Sequence, residues 1–308
     1  MVPARLLGVV GPTASGKTAL AIEIARECDG EIVSCDSLQV YRRLDIGSAK
    51  PTAAERAAVR HHLIDVVDVW QDFSAAAYAA AAREAALGIV TRGRRPLVVG
   101  GTGLYLRAFL HGLFPGPARD QALRGRFEAM ADRFGDARLH RLLSRHDPVA
   151  SRRIRPSDRL RVVRALEVLC LSGRPISEQQ GGGEEPLDGF ETLLVGLAPP
   201  RSELRLRVRE RAERMLRDGL VDEVRRLLEE GVPPDARPLR SIGYRQAVSV
   251  LQGQLQEGAA LEAIVTDTMR YAKRQMTWFR HQADVAWFEA FSPALQAGVR
   301  WLRGGAGV

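Results

Sequence analysis

One octapeptide near the start of the chain, Gly11-Pro12-Thr13-Ala14-Ser15-Gly16-Lys17-Thr18, constrains the fold more than any other feature. It has the form G-x-x-x-x-G-K-T, and it joins the apolar run from Arg5 to Val10 to a stretch whose Leu20 and Ile24 recur at helical spacing. A strand that feeds a glycine-rich loop and then a helix aims main-chain N–H groups and the helix N-terminus at an anion. Lys17 is then expected to bridge phosphate oxygens, and the Thr18 hydroxyl to reach a Mg²⁺ ion bound to them. The motif identifies a phosphate handle and leaves the reaction open, because kinases, ATPases and other diphosphate-using enzymes share it.

Two more apolar segments fit the same scheme. Glu31 to Ser37 ends in polar residues at Asp36, and Pro96 to Val99 runs into Gly100-Gly101-Thr102-Gly103 after a helical stretch from Ser74 to Thr91. Strands alternating with helices predict an α/β fold, a P-loop NTPase-like parallel sheet covered on both faces. Ligands of such sheets lie beyond the carboxyl ends of the strands. Gly11, Asp36 and Thr102 are therefore expected to converge on one crevice. From the residues alone, Asp36 suits a metal partner, a helix cap or a general base, and the glycines around Thr102 suit a ligand contact or a tight turn. His61 and His62, adjacent on a strand, face opposite sides and are read as structural or substrate-margin residues.

At 308 residues the chain exceeds what one core usually serves. Residues 1–114 are expected to form the first part of the core and 115–190 a helical insertion. The insertion starts at Pro115-Gly116-Pro117 and closes on a linker-like stretch from Gln179 to Gly189. Residues 191–308 return with the strand-like Glu191 to Pro200, then helices from Ser202 to Gly231, interrupted at Asp218-Gly219, and from Ala259 to Gln282. No run of about 18 apolar residues is present, which argues against a membrane partner. Three cysteines without Cys-x-x-Cys spacing suggest neither a disulfide framework nor a zinc module, and a reducing cytoplasm is expected.

A net charge of +8 permits a polyanionic partner without requiring one. The excess concentrates between Arg152 and Arg164, where six arginines accompany one acid, Asp158. A phosphate-contacting surface or a helix face paired with neighbouring acids would each account for it. Arg207 and Arg211 stand four residues apart on a predicted helix, so both can clamp a diphosphate, as arginines of kinase lids also do. Tyr271, Lys273, Arg274, Trp278, Phe279 and Arg280 mix aromatic and basic character, suited either to base stacking or to a core with snorkelling cations.

Taken in order, GPTASGKT, DSLQVYRRLDIGSAKPT, HHLID, VVGGTGLYLRAFLHGL, RALE, SIGYRQ and KRQMTWFR resemble the motif series of bacterial tRNA dimethylallyltransferases, also called tRNA isopentenyltransferases. The resemblance covers nearly the whole chain. Ser48 stands where threonine is expected in GSAKPT. It implies transfer of a dimethylallyl group from dimethylallyl diphosphate to N6 of the adenine 3′ of the anticodon, adenine 37, with Mg²⁺ assistance and release of diphosphate. The octapeptide Gly11, Pro12, Thr13, Ala14, Ser15, Gly16, Lys17 and Thr18 would hold the leaving group, with Arg207 and Arg211 adding to the clamp. Asp36 would take the proton of the amine and Thr102 would touch the base or the bridging oxygen.

The same resemblance implies an anticodon stem-loop gripped by several segments, with the target base flipped into a channel. Asp36, Ser37, Leu38 and Gln39 would contact the base. Arg124 and the stretch Arg159, Leu160, Arg161, Val162, Val163, Arg164 would touch the RNA, as would Arg240, Gly243, Tyr244, Arg245, Lys273 and Arg274. The protein is expected to act as a monomer. A small-molecule kinase, an enzyme prenylating free adenine nucleotides, and an RNA-binding protein without transferase activity are the competing classes.

Overall fold

The computed structural model describes residues 3–180 and 185–305. Met1 and Val2, and Gly181 to Glu184 of the expected linker, lie outside the described residues.

The order along the chain is β1 (Ala4–Val10), α1 (Lys17–Cys28), β2 (Gly30–Cys35), α2 (Ala53–Ala58), β3 (His61–His62), α3 (Ala75–Thr91), β4 (Arg95–Gly100) and α4 (Gly103–His111). Five helices follow: α5 (Gln121–Phe134), α6 (Asp136–His146), α7 (Pro148–Arg153), α8 (Arg159–Ser172) and α9 (Ile176–Gln179). The chain then returns through β5 (Phe190–Leu197), α10 (Arg201–Arg217), α11 (Leu220–Glu229), a 3₁₀ turn (Arg237–Arg240), α12 (Tyr244–Leu251), α13 (Glu257–Gln282), β6 (Ala286–Phe288) and α14 (Phe291–Leu302).

All strand pairings are parallel, in the order β3-β2-β4-β1-β5-β6. The central strand β1 alternates between two apolar layers. Leu7 and Val9 pack with α1 and α14, whereas Leu6 and Val10 pack with α3, α4 and Phe279 of α13. Each fully buried leucine or valine contributes about 1.5–3 kcal/mol, so this strand alone anchors both layers. Ser74 caps α3 by accepting from the Ala77 amide, and Thr52 with Glu55 forms a capping box on α2.

The strand, loop and helix around the P-loop and the return of residues 191–200 to the sheet agree with the sequence reading. His61 and His62 form the expected strand, β3, whereas β6 was not anticipated; at three residues it is too short to show a period. Helix α14 supplies the outer cover of α1, which no motif announced.

The chain divides into two compact units, Met1–Leu110 with Leu187–Val308, and His111–Pro186. The crossings fall four residues before the expected boundaries, because Leu187 N donates to Leu110 O at 2.8 Å and ties the returning chain to the end of α4. The smaller unit has its own core of Phe127, Leu139, Leu143, Val162, Val163 and Leu166 among others. In the larger unit, α10 to α13 enclose a further core with the segment that follows β2, including Val40, Tyr41 and Leu44.

Candidate active site

The P-loop owes its shape to three residues in unusual backbone conformations, Gly11 (φ 143°), Ala14 (φ 63°) and Gly16 (φ 95°). Ser15 N donates to Pro12 O at 3.2 Å, closing a turn that presents the first amides of α1. Lys17 Nζ reaches Pro12 O at 3.3 Å. Burial, helped by the neighbouring Arg211 cation and opposed by the charge of Asp36, lowers the Lys17 ammonium from 10.5 to about 8.

Beyond β2, Asp36 closes its own turn. Its Oδ1 accepts from Leu38 N at 2.8 Å and Gln39 N at 3.4 Å. Thr102 stitches the ends of β2 and β4 together: its Oγ1 accepts from Ser37 N at 3.1 Å and its amide donates to Cys35 O at 3.3 Å. The parallel register carries Gly11, Asp36 and Thr102 to the carboxyl ends of β1, β2 and β4, at one edge of the sheet, but of the three only Asp36 lines the cavity found there. Lys17, Thr18, Asp36, Ser37, Leu38 and Gln39 line one cavity of about 450 Å³, together with Arg211 and Tyr271. Burial and the charge of Asp36 push the Tyr271 phenol up to about 12, and the same burial lowers Arg211 while Asp36 opposes that shift.

A residue that sequence reasoning missed holds this arrangement. Gln275, 6% exposed on α13, accepts from Thr13 N and donates to Gly101 O, both at 2.9 Å. A Cβ on Gly101 would lie 2.2 Å from Gln275 Nε2, and one on Gly103 would lie 2.4 Å from the Trp278 ring. The glycines beside Thr102 are thus sites of close approach by α13. The only sequence signal for Gln275 was a polar residue on the face that carries Ala272 and Phe279.

The segment after Asp36 is braced elsewhere. Glu223 of α11, buried, accepts from Asp45 N at 3.0 Å, Ile46 N at 2.9 Å and the Tyr244 hydroxyl at 2.8 Å. Lys50 Nζ joins Asp45 at 2.7 Å and Asp65 at 2.6 Å, and Arg56 meets Asp65 at 2.9 Å. These pairs give GSAKPT and HHLID a structural role. His62 lies 2.7 Å from Glu31; burial pushes that carboxyl up, but bonds from Arg92 and His62 outweigh it and hold it at about 2. The ring of His61 lines the cavity, and its Nδ1 pairs with Val59 O at 2.7 Å.

Several expected site residues lie elsewhere. Arg207 and Arg211 diverge: Arg207 Nη1 donates to Ser15 O at 3.0 Å and its other nitrogen pairs with Glu203, so it supports the P-loop from outside while Arg211 lines the cavity. Tyr244 is fully buried on Glu223 and offers an RNA no surface. Val162 and Val163 belong to the core of the smaller unit, because they occupy the inward face of α8. Arg124 and Arg164 are engaged by the buried Glu167, at 2.9 and 2.6 Å, and Arg159 by Asp132 and Asp136. Leu160 and Arg161 are exposed. Arg240, Gly243, Arg245 and Arg274 line the cavity, whereas Lys273 is exposed away from its lining.

Among the described residues no group of three or more His, Cys, Asp or Glu side chains could hold a metal. The Thr18 hydroxyl beside Lys17 nevertheless suits Mg²⁺ carried by a diphosphate, since that ion keeps most of its ligands as water and phosphate oxygen. No helix among the described residues is long and apolar enough to cross a membrane.

A family profile described as IPP transferase matches residues 39–282. The chain belongs to the IPP transferase family. The matched span begins at Gln39, just past Asp36, and takes in Thr102, Arg211 and Gln275. Among proteins similar to this IPP transferase chain, tRNA dimethylallyltransferase 1 of Pelobacter propionicus is 47% identical over 287 residues, 92% of each chain. The crystal structure of a tRNA isopentenylpyrophosphate transferase from Bacillus halodurans superposes with a TM-score of 0.71 at 37% identity, covering 97% of this chain and 96% of that one. A eukaryotic dimethylallyltransferase, 24% identical with a TM-score of 0.79 over 98% of this chain and 80% of that chain, shares the fold.

Proposed function

We propose that the protein transfers the dimethylallyl group of dimethylallyl diphosphate to N6 of adenine 37, the base 3′ of the anticodon, in tRNA. The observation that carries this reading is one cavity lined by two cations, Lys17 of the P-loop and Arg211 of α10, and, beyond β2, by the carboxylate of Asp36. The names of its relatives, which cover nearly all of both chains, supply the tRNA and the prenyl group.

In this mechanism the main-chain amides of residues 11–18, Lys17 and Arg211 bind the diphosphate, while Arg207 keeps the loop in shape through Ser15. The adenine N6 attacks the allylic C1, the C1–O bond breaks, and its electron pair leaves with the diphosphate. Charge grows on that leaving group as the bond breaks, and fixed cations and amides stabilise it without reorganising. Mg²⁺, held by Thr18, would add positive charge to the same group. The proton of the amine passes to Asp36. With Oδ1 engaged by the Leu38 and Gln39 amides, Oδ2 is the acceptor.

A stacked adenine could not enter such a cavity, so the base is flipped and Ser37, Leu38 and Gln39 meet it. Thr102, through its bond to Ser37 N, orients that turn and contacts the base or the bridging oxygen. Arg240, Gly243, Arg245 and Arg274 at the cavity, with the exposed Lys273 on the same helix as Arg274, receive the anticodon stem-loop, and the exposed Leu160 and Arg161 are RNA contacts of the insertion. A monomer acting in the cytoplasm fits this reading.

The test is incubation with labelled dimethylallyl diphosphate and unmodified tRNA. Label is expected in tRNA and not in AMP offered alone; competent tRNA left unlabelled rejects the reading. Label in AMP at a comparable rate would favour the nucleotide prenyltransferase instead.

A further inference from the structure

Three segments far apart in sequence meet at one buried amide. Gln275 Oε1 accepts from Thr13 N in the P-loop, and Gln275 Nε2 donates to Gly101 O in the turn that precedes Thr102, each at 2.9 Å. A primary amide can accept on its oxygen and donate from its nitrogen, in two directions at once. Its carbonyl satisfies the P-loop and its NH₂ satisfies the strand end. Neither a carboxylate nor an aliphatic chain of the same length can do both.

The consequence is geometric. Thr13 N is committed to Gln275 and Ser15 N to Pro12 O, so the loop cannot turn its remaining amides freely. On the other side, the Gly101 carbonyl directly precedes Thr102, whose hydroxyl accepts from Ser37 N beside Asp36. One side chain thereby fixes the distance between the proposed diphosphate cradle and the turn that carries the proposed base. It sits on α13, the helix whose Arg274 and Tyr271 also line the cavity, with the guanidinium 5.6 Å above the tyrosine ring.

We infer that Gln275 is a positioning residue that sets the diphosphate cradle against the Asp36 turn, an inference that rests on the transferase reading given above. It lines the cavity, but both ends of its amide are engaged by main-chain groups of the protein. It acts through Thr13 and Gly101, and its loss moves the cradle while leaving the exposed cations of α13 where they are. A displacement near 1 Å in such a site costs about a hundredfold in turnover.

The experiment compares wild type with Gln275→Leu and Gln275→Glu. The glutamate keeps an acceptor for Thr13 N and sets an oxygen against the Gly101 carbonyl. Affinity for inorganic pyrophosphate with Mg²⁺, affinity for an unmodified anticodon stem-loop, and single-turnover prenyl transfer are each measured on folded protein. The expected result is a pyrophosphate affinity at least tenfold weaker and a kcat 10- to 100-fold lower in both variants, with stem-loop affinity within twofold of wild type. Pyrophosphate affinity and kcat within twofold of wild type in either folded variant overturn the inference. So does stem-loop affinity falling in parallel with pyrophosphate affinity, which would mark a general structural role. If Gln275→Leu does not fold, Gln275→Glu alone decides on the same criteria; if neither folds, the residue is structural and the inference is overturned. Wild-type protein that binds pyrophosphate but prenylates no tRNA would sink the transferase reading, while the pyrophosphate comparison would still judge Gln275.

Discussion

Lys17 and Arg211 line the same cavity, and burial, helped by the guanidinium, lowers the lysine's pKa to about 8. Two cations brought together out of water are a standing cost in the free protein, offset in part by Asp36. An anion bound between them relieves that cost, which is the electrostatic signature of a preorganised phosphate site.

The lowered Lys17 pKa sets a sign. Between about 8 and 10.5 the folded protein binds fewer protons here than the unfolded chain, so this group's unfavourable contribution, complete below pH 8, fades as pH rises through that window. Pyrophosphate binding at pH 8.5 is therefore expected to restore the charge and take up a fraction of a proton. Calorimetry in two buffers of different ionisation enthalpy measures it. The uptake should exceed that of Lys17→Met, and equal uptake in both proteins would refute the assignment.

Asp36→Asn retains an oxygen for the Leu38 and Gln39 amides, so it removes the proposed base without releasing the turn. Single-turnover transfer is expected to fall about 10²- to 10⁴-fold, the usual span for a lost general base, with stem-loop affinity little changed. Turnover within a factor of three of wild type would remove Asp36 from that role.

Tyr244→Phe deletes one donor to a carboxylate that is already buried. Glu223 keeps the Asp45 and Ile46 amides, yet the loss of a charge-assisted bond is expected to cost about 1.5–3 kcal/mol in urea denaturation. A change below about 0.5 kcal/mol would show that the hydroxyl contributes little.

Arg161 and Arg124 should separate cleanly. Arg161→Ala, at an exposed position, is expected to weaken stem-loop binding and to reduce the slope of log K against log salt by about 0.7–1. Arg124→Ala instead leaves Glu167 with fewer partners, lowering stability by about 1–3 kcal/mol without altering that slope. Identical salt slopes for Arg161→Ala and wild type would take Arg161 off the RNA surface.

Much of the site was legible from local order. The P-loop, Asp36 and Thr102 each follow a strand, and parallel strands must bring their carboxyl ends to one edge, so their meeting could be inferred before any contact was known. Motifs of the resemblance such as GSAKPT and HHLID were visible too, but their role in pairing Lys50 with Asp65 was not, since an ion pair between segments depends on where each is carried.

What the amino-acid sequence determined by itself was whatever is encoded within one element and its neighbours: strand and helix identity, the glycine-lysine loop, the returning strand β5 and the helical character of the insertion. What only the tertiary structure decided was which face of each helix turns inward. It parts Arg207 from Arg211, buries Val162, Val163 and Tyr244, commits Arg124 and Arg164 to Glu167, and puts Gln275 between Thr13 and Gly101. The reason is that a helical repeat assigns residues to faces, while the partner that meets each face is set by packing among separate segments of the folded chain.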